Sequence, residues 1–158
     1  MLKACNYIKS NTPIALFYSL LIIDNIYNLS ISYIINYFDS SLTETLEFSD
    51  FSLNEIFFLT VIIAPLFETL IFQFLIIELL YFFKVKNNSI IIISTVLFAI
   101  SHNYNIVYIL AIIFPGLMYA TYYLYLKINK KNGFILIFSL HAFSNLISFI
   151  IGDVLKWM

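Results

Sequence analysis

The sequence predicts an all-α membrane protein, folded as a polytopic helical bundle with about five transmembrane helices. Hydrophobic residues make up 62 % of the 158 residues and charged residues only 11 %, and a soluble domain of this size cannot bury so much apolar surface. The hydrophobic residues also fall into separate runs, most of them close to the roughly 20 residues that a helix needs to cross a bilayer. We therefore expect the lipid bilayer as a partner, and the length fits one domain.

Short polar segments separate the runs and define the predicted helices in order. Pro13 opens the first run and suits the first turn of a helix. An acidic segment, residues 39–54, follows that run, and lysine-containing turns at 84–88 and 127–133 end the second and fourth runs. The third run is short unless its helix continues through Asn105. The predicted spans are 13–38, 55–83, 89–102, 106–126 and 134–153.

The basic residues predict the orientation of these spans. All eight are lysines, and five spans place seven of them on one side, opposite the acidic segment. Because positively charged loops stay in the cytoplasm, we expect a multi-pass protein of the cell (inner) membrane with its N-terminus inside and its C-terminus outside. The net charge of −1 provides no basic face for a nucleic-acid partner. The seven are Lys3, Lys9, Lys84, Lys86, Lys127, Lys130 and Lys131, and only Lys156 breaks the pattern.

Glu68 lies near the middle of the second predicted span. A carboxylate at the centre of a bilayer costs about 2.5–3.5 kcal/mol on insertion scales, so it marks a functional site by default. Pro65 stands three residues earlier, and a proline inside a helix removes a backbone hydrogen bond and crowds the preceding turn. We therefore expect a bend beside Glu68.

Two histidines and an asparagine lie at similar predicted depths to Glu68. Counting about 1.5 Å per residue from the cytoplasmic ends puts Glu68 ~22 Å, His102 ~20 Å, Asn145 ~18 Å and His141 ~12 Å into the membrane. His141 and Asn145 are four residues apart, which places both on one helix face. If the spans pack as a bundle, the four side chains can converge in one layer.

A carboxylate, two imidazoles and an amide in a low-dielectric cavity are suited to hydrolysis. The carboxylate can act as a general base, and an imidazole can share or relay the proton. An amide and a second imidazole can donate hydrogen bonds to a developing oxyanion. Two alternatives use the same residues: Glu68, His102 and His141 have the donor types of a zinc site, and the two histidines could be axial haem ligands. A proton-coupled transporter is a further alternative, although five spans leave little room for two repeats.

Other polar or small residues in the spans have structural interpretations. Asp24 is expected either to support the site residues from behind or to line the cavity. Glu78 is expected to lie near the inner end, within reach of Lys84 or the lipid headgroups, and to have a structural role. Gly116, together with Pro115, indicates a kink and a close approach between helices. The tyrosines of the fourth span are typical of an interfacial aromatic belt. They are Tyr119, Tyr122, Tyr123 and Tyr125.

The polar residues of the site belong to three short motifs in a fixed order, each on its own span. They read PLFETLIFQ at 65–73, FAISH at 98–102 and HAFSN at 141–145. These resemble the P-x-x-E-E-x-x-x-R, F-x-x-x-H and H-x-x-x-N/D motifs of the CPBP intramembrane proteases, also called the CAAX-protease and bacteriocin-processing or Abi family. The resemblance covers about residues 55–151. It divides the chain into an N-terminal span with an acidic outer loop (1–54) and a catalytic core (55–158).

The resemblance implies a membrane-embedded endopeptidase that cleaves a membrane-associated peptide or protein. Glu68 would activate water with the help of His102, while His141 and Asn145 would stabilise the oxyanion. It implies no cofactor, with zinc as the minority alternative, since no HExxH helix is present.

Two positions depart from the family pattern: Thr69 replaces a second glutamate and Gln73 replaces an arginine. These two residues could form a neutral hydrogen-bonding pair instead. Their presence motivates the alternative of a non-enzymatic bacteriocin self-immunity or scaffold member of the same family.

Overall fold

Five helices and no strand form the part of the chain that the computed structural model describes, which is residues 13–39, Leu42 and residues 50–155. The prediction of an all-α helical bundle is confirmed. Lys3, Lys9, Lys156 and most of the acidic segment 39–54 lie outside the described residues, so the predictions that rest on them stay predictions. The helices are α1 (Pro13–Phe38), α2 (Leu53–Phe82), α3 (Asn87–Ser101), α4 (Ile106–Ile128) and α5 (Gly133–Val154).

Four of these helices, α1, α2, α4 and α5, are long and apolar enough to cross a membrane. Large hydrophobic side chains cover their outer faces, as is expected for helices in contact with lipid. Helix α3 has only 15 residues, which corresponds to about 22 Å of helix, against a hydrocarbon core of ~30 Å. The chain is thus a multi-pass membrane protein, with one helix shorter than the other four.

The third span was predicted to end at about His102; α3 ends at Ser101, and His102 is its C-cap and lies in the turn that follows it. The backbone of His102 has φ −94° and ψ 49°, outside the helical region. The turn forms because a new helix begins at Ile106, four residues later. Asn105 is the N-cap of α4, and its side-chain oxygen accepts a hydrogen bond from the backbone N–H of Tyr108 at 2.8 Å.

Helix α2 changes its winding on both sides of Glu68. The α-helical turn Ala64–Glu68 lies between two π-helical segments, Phe58–Ile63 and Thr69–Leu75. Pro65 lacks the N–H of a regular helical hydrogen bond, which fits an irregular helix at the point where the sequence predicts a bend. Such wide turns in helices are frequent at functional sites, because they shift the direction of neighbouring side chains.

Helix α4 provides most of the buried core, and α3 approaches it closely at Gly116. A Cβ atom on Gly116 would lie only 2.8 Å from Cδ1 of Phe98. The predicted close approach at this glycine is therefore confirmed. The buried core residues of α4 are Met118, Tyr119, Ala120, Tyr122, Tyr123, Leu124 and Leu126.

The prediction of an interfacial tyrosine belt on α4 is wrong for three of its four members, and Glu78 has an ion-pair partner that was not predicted. Three tyrosines assigned to an interfacial belt, Tyr119, Tyr122 and Tyr123, are instead at most 3 % exposed. Each donates its hydroxyl hydrogen inside the protein rather than to lipid headgroups or water. Glu78 accepts from Tyr123 at 2.8 Å and pairs with Lys127 at 2.6 Å. The partner of Glu78 is thus a lysine at the end of α4 and not Lys84, because the packing of α4 against α2 brings Lys127 to it.

Candidate active site

Three of the predicted site residues meet around one carboxylate oxygen. Oε2 of Glu68, on α2, lies 3.6 Å from Nε2 of His102 and 3.5 Å from Nε2 of His141. His102 comes from the turn after α3 and His141 from α5. Both distances exceed the 2.7–3.2 Å of a direct N–H···O hydrogen bond. The three groups therefore face one another closely without forming short hydrogen bonds.

All four predicted site residues line one cavity of about 410 Å³. The cavity lies between α1, α2, α4, α5 and the turn 102–105. Its wall combines the polar groups with apolar and aromatic side chains, a composition that is typical of small-molecule and peptide sites. Among its further lining residues are Leu59, Ile63, Phe67, Ile112, Pro115 and Tyr119.

The tautomer of His102 follows from its backbone contact. Nδ1 of His102 lies 2.8 Å from the carbonyl oxygen of Phe98, and a carbonyl oxygen only accepts hydrogen bonds. We therefore assign the hydrogen to Nδ1, so that Nε2 of the neutral ring carries a lone pair directed at Glu68. Two lone pairs facing each other repel, and a proton held between Nε2 and Oε2 removes the repulsion. A proton on either atom would therefore favour a closer approach of Glu68 and His102 than the 3.6 Å between them.

His141 is held mainly by its neighbours' rings. Its ring centroid lies 5.0 Å from that of Tyr119 and 5.8 Å from that of Phe98. Within the described part of the chain, its Nδ1 atom has no hydrogen-bond partner. Packing against the two aromatic rings and the contact with Glu68 therefore set the direction of its Nε2.

Asn145 lies one helical turn beyond His141 on α5 and reaches α2. Its side-chain amide donates a hydrogen bond to the carbonyl oxygen of Thr60 at 2.8 Å. Thr60 belongs to the first π-helical segment. The amide carries a second hydrogen, so Asn145 can hold α5 against α2 and still have a donor for a ligand in the cavity.

The two residues that depart from the family pattern are buried in α2. Thr69 and Gln73 are both 0 % exposed. Within the described residues, the hydroxyl of Thr69 and both polar atoms of the Gln73 amide have no hydrogen-bond partner. The predicted neutral pair between them is therefore not formed. Buried polar atoms usually have a hydrogen-bond partner, so Thr69 and Gln73 are exceptions to this rule.

Tyr104 in the turn and Tyr119 on α4 also line the cavity, and neither was predicted to be a site residue. Burial raises the pKa of the Tyr104 phenol above its usual value, and the nearby Glu68 carboxylate raises it further. Tyr104 is thus a neutral hydroxyl donor at physiological pH. The position of Tyr119, three residues after the buried Gly116, was the available signal that it faces the helix contact rather than lipid.

Asp24 confirms the expectation of a polar group behind the site. It is 0 % exposed, and its Oδ2 atom accepts hydrogen bonds from the hydroxyls of Tyr119 and Ser144. Ser144 carried no prediction, and only its place three residues after His141 could have indicated it.

The described residues contain no group of three His, Cys, Asp or Glu side chains arranged to hold a metal ion. For Glu68, His102 and His141, both the expectation of no cofactor and the zinc alternative stay predictions. The haem alternative is not favoured, because both Nε2 atoms face the same carboxylate oxygen rather than the two sides of a flat ring.

The fold and the site together define a class: a multi-pass helical membrane protein in which a carboxylate and two imidazoles from separate helices face a largely apolar cavity. The model of the type II CAAX prenyl endopeptidase Rce1-like family matches residues 51–147. This match covers more than half of the chain, which therefore belongs to that protease family, and the predicted resemblance is confirmed. No curated protein and no solved structure matched the chain.

Proposed function

We propose that this chain is an intramembrane endopeptidase that hydrolyses a peptide bond of a membrane-associated peptide or protein, in or near the bilayer. The observation that carries the proposal is the meeting of Glu68, His102 and His141 within 3.6 Å around one carboxylate oxygen. Membership of a protease family supports a peptidase over other hydrolases. The wide cavity beside the three groups offers room for a peptide segment.

Glu68 is the proposed general base. A water molecule beside it would lose a proton to the carboxylate while its oxygen attacks the carbonyl carbon of the scissile bond. His102 would hold the shared proton at Nε2 and keep the carboxylate directed at the water. When the C–N bond breaks, the proton taken up by Glu68 passes to the leaving nitrogen. The products are a new carboxyl terminus and a new amino terminus.

His141 and Asn145 are the proposed oxyanion donors. The tetrahedral intermediate carries a negative charge on the former carbonyl oxygen, and preorganised donors stabilise that charge most strongly where water is excluded. His141 and Asn145 both line the cavity, where Nε2–H of His141 and the second amide hydrogen of Asn145 would be the donors. The rings of Phe98 and Tyr119 against His141 keep its environment apolar.

The lysine positions support the proposed orientation. Lys84 and Lys86 lie at the connection between α2 and α3, and Lys130 and Lys131 lie at the connection between α4 and α5. If α3 crosses the bilayer, both connections are on the same side, which the positive-inside rule makes the cytoplasmic side. The N-terminus is then cytoplasmic and the C-terminus outside, in the cell (inner) membrane.

A non-enzymatic member of the family, acting in bacteriocin self-immunity or as a scaffold, is the second candidate. The observation that favours it is the replacement of the usual glutamate and arginine by Thr69 and Gln73, which are buried without hydrogen-bond partners among the described residues. Such a protein would keep the fold and the cavity after losing the charged groups that support the base.

Proteolysis in liposomes tests the proposal. A library of quenched membrane peptides is the substrate for wild type, Glu68→Gln and His102→Ala. The control is Glu78→Gln, because the Glu78 carboxylate lies on the same helix but pairs with Lys127. Loss of a general base lowers the rate by about 10²- to 10⁴-fold, so we expect this loss in both site variants and full activity in the control.

Three other outcomes have definite meanings. Full cleavage by both site variants would overturn the proposed mechanism. Cleavage that a chelator abolishes and zinc restores would support the metal alternative. Absence of wild-type cleavage, together with protection from a toxin that survives Glu68→Ala, would favour the immunity or scaffold role.

A further inference from the structure

Helix α1 reaches the candidate site although it lies outside the matched region 51–147. Asn28 of α1 lines the cavity, and Asn25 donates a hydrogen bond to Ser144 at 3.4 Å. The most buried polar contact of α1 is made by Asp24, a carboxylate in the middle of the helix that is 0 % exposed. One oxygen of Asp24, Oδ2, accepts a hydrogen bond from the Tyr119 hydroxyl at 2.6 Å and another from the Ser144 hydroxyl at 2.5 Å. A single atom of α1 thus connects α4 and α5.

Both partners of Asp24 are neighbours of His141. The Tyr119 ring packs against the His141 ring with centroids 5.0 Å apart and an angle of 38° between the planes. Ser144 follows His141 by three residues, so the two side chains lie on the same face of α5. The network therefore includes the ring that packs against the His141 imidazole and a residue one helical turn along α5 from it.

This imidazole needs support because its own hydrogen bonds do not orient it. In metal and catalytic sites, a histidine is commonly fixed by a hydrogen bond to the nitrogen that does not react. The Nδ1 atom of His141 has no such partner within the described residues. By contrast, the Nδ1 atom of His102 is held by the carbonyl of Phe98 at 2.8 Å. The orientation of His141 thus depends on the rings around it.

We propose that Asp24 and Tyr119 are positioning residues for His141. Asp24 holds the hydroxyl of Tyr119, and the fixed Tyr119 ring holds the His141 ring with its Nε2 towards Glu68. Asp24 also accepts a hydrogen bond from Ser144, which fixes the position of α5 relative to α1 near His141. This proposal extends the proposed function, since it assigns α1 to the active unit and gives its buried carboxylate a role in orienting an oxyanion donor.

The chain allows a direct test because it contains only two histidines. Protein labelled with ¹⁵N in histidine alone, in detergent or lipid, gives ring signals from His102 and His141, and His102→Gln assigns them. Tyr119→Phe keeps the ring but removes the hydroxyl. Tyr122→Phe is the matched control, because Tyr122 is also buried on α4 and donates to the Pro13 carbonyl at 2.6 Å, away from the site.

We expect Tyr119→Phe to shift or broaden the His141 signals, while Tyr122→Phe leaves them unchanged. Asp24→Leu should reproduce the effect of Tyr119→Phe, and Asp24→Asn should remain close to wild type because its side-chain oxygen can still accept both hydrogen bonds. Equal His141 spectra in Tyr119→Phe and Tyr122→Phe would overturn the proposal, as would identical effects of Asp24→Asn and Asp24→Leu.

Kinetics provide the second readout. A misplaced oxyanion donor lowers kcat rather than weakening substrate binding, so Tyr119→Phe should reduce kcat on the order of 10- to 100-fold with little change in KM. A rise in KM with kcat unchanged would contradict positioning. If the wild type cleaves nothing, the proposed function fails, whereas the His141 spectra still decide whether Asp24 and Tyr119 orient this ring.

Discussion

Adding one methyl group at Gly116 should disturb both the stability of the bundle and its candidate site. The new Cβ would lie 2.8 Å from Cδ1 of Phe98, whereas carbon atoms in van der Waals contact lie about 3.5–4.0 Å apart. Phe98 is 1 % exposed and lines the site cavity, so a shift of its ring is either against packed neighbours or into the site. Either the ring or α4 must move by roughly 0.7 Å or more.

The magnitude follows from the packing. Inserting a methyl group into a well-packed interior typically costs about 1–3 kcal/mol, and we expect Gly116→Ala to lose this amount of unfolding free energy. Gly152→Ala is the control, because nothing lies within 4 Å of the position of its Cβ. Both substitutions replace a helical glycine by alanine, so the difference between them reports the contact with Phe98.

Activity should fall further than stability, because the Phe98 ring lies between the two histidines. Its centroid is 4.7 Å from that of His102 and 5.8 Å from that of His141. Reversible unfolding in mixed detergent, followed by circular dichroism, measures the stability, and the liposome assay measures proteolysis. Adding Phe98→Leu to Gly116→Ala should recover part of the loss, since the smaller side chain leaves room for the methyl group.

The reasoning is refuted if Gly116→Ala and Gly152→Ala unfold at the same denaturant concentration. It is refuted equally if Phe98→Leu and Gly116→Ala have strictly additive effects, because residues in contact should show a coupling energy.

Two further predictions concern the interior of α2 and the orientation of the spans. Thr69→Val should raise the unfolding free energy by about 1 kcal/mol, because it removes a buried hydroxyl that has no hydrogen-bond partner among the described residues. A destabilised variant would show instead that the Thr69 hydroxyl makes a hydrogen bond in the protein. With the single Cys5 replaced by serine, a membrane-impermeant thiol reagent applied to intact cells should label Asp50→Cys but not Lys131→Cys, and the reverse pattern would contradict the orientation.

Much of the fold was predictable because hydrophobicity along the chain is a local property. The length and composition of each run predicted the bounds of α1, α2, α4 and α5 to within about two residues. Such runs form helices in a membrane because the backbone groups there can only hydrogen-bond within the protein. The third span was predicted about as closely, since α3 runs from Asn87 to Ser101. What the hydrophobic run does not encode is that the Asn105 cap begins a new helix and leaves His102 in a turn.

The candidate site was predictable in its members but not in its contacts. The depths of Glu68, His102, His141 and Asn145 follow from counting residues, and a buried charge is costly enough to signal a function. Depth leaves open which way a helix faces. The 3.5 and 3.6 Å distances around Glu68 exist only because α2, the turn after α3 and α5 are packed with particular rotations about their axes.

The sequence by itself thus determined the class of protein, the approximate spans and the residue types available for chemistry. The tertiary structure decided which of these residues meet. Tyr119 makes the difference clear, because a tyrosine in an apolar span is equally compatible with a lipid interface and with a buried network. Only the rotation of α4 against α1 brings its hydroxyl within 2.6 Å of Asp24. Contacts between residues 95 positions apart depend on the packing of whole helices, which no local pattern encodes.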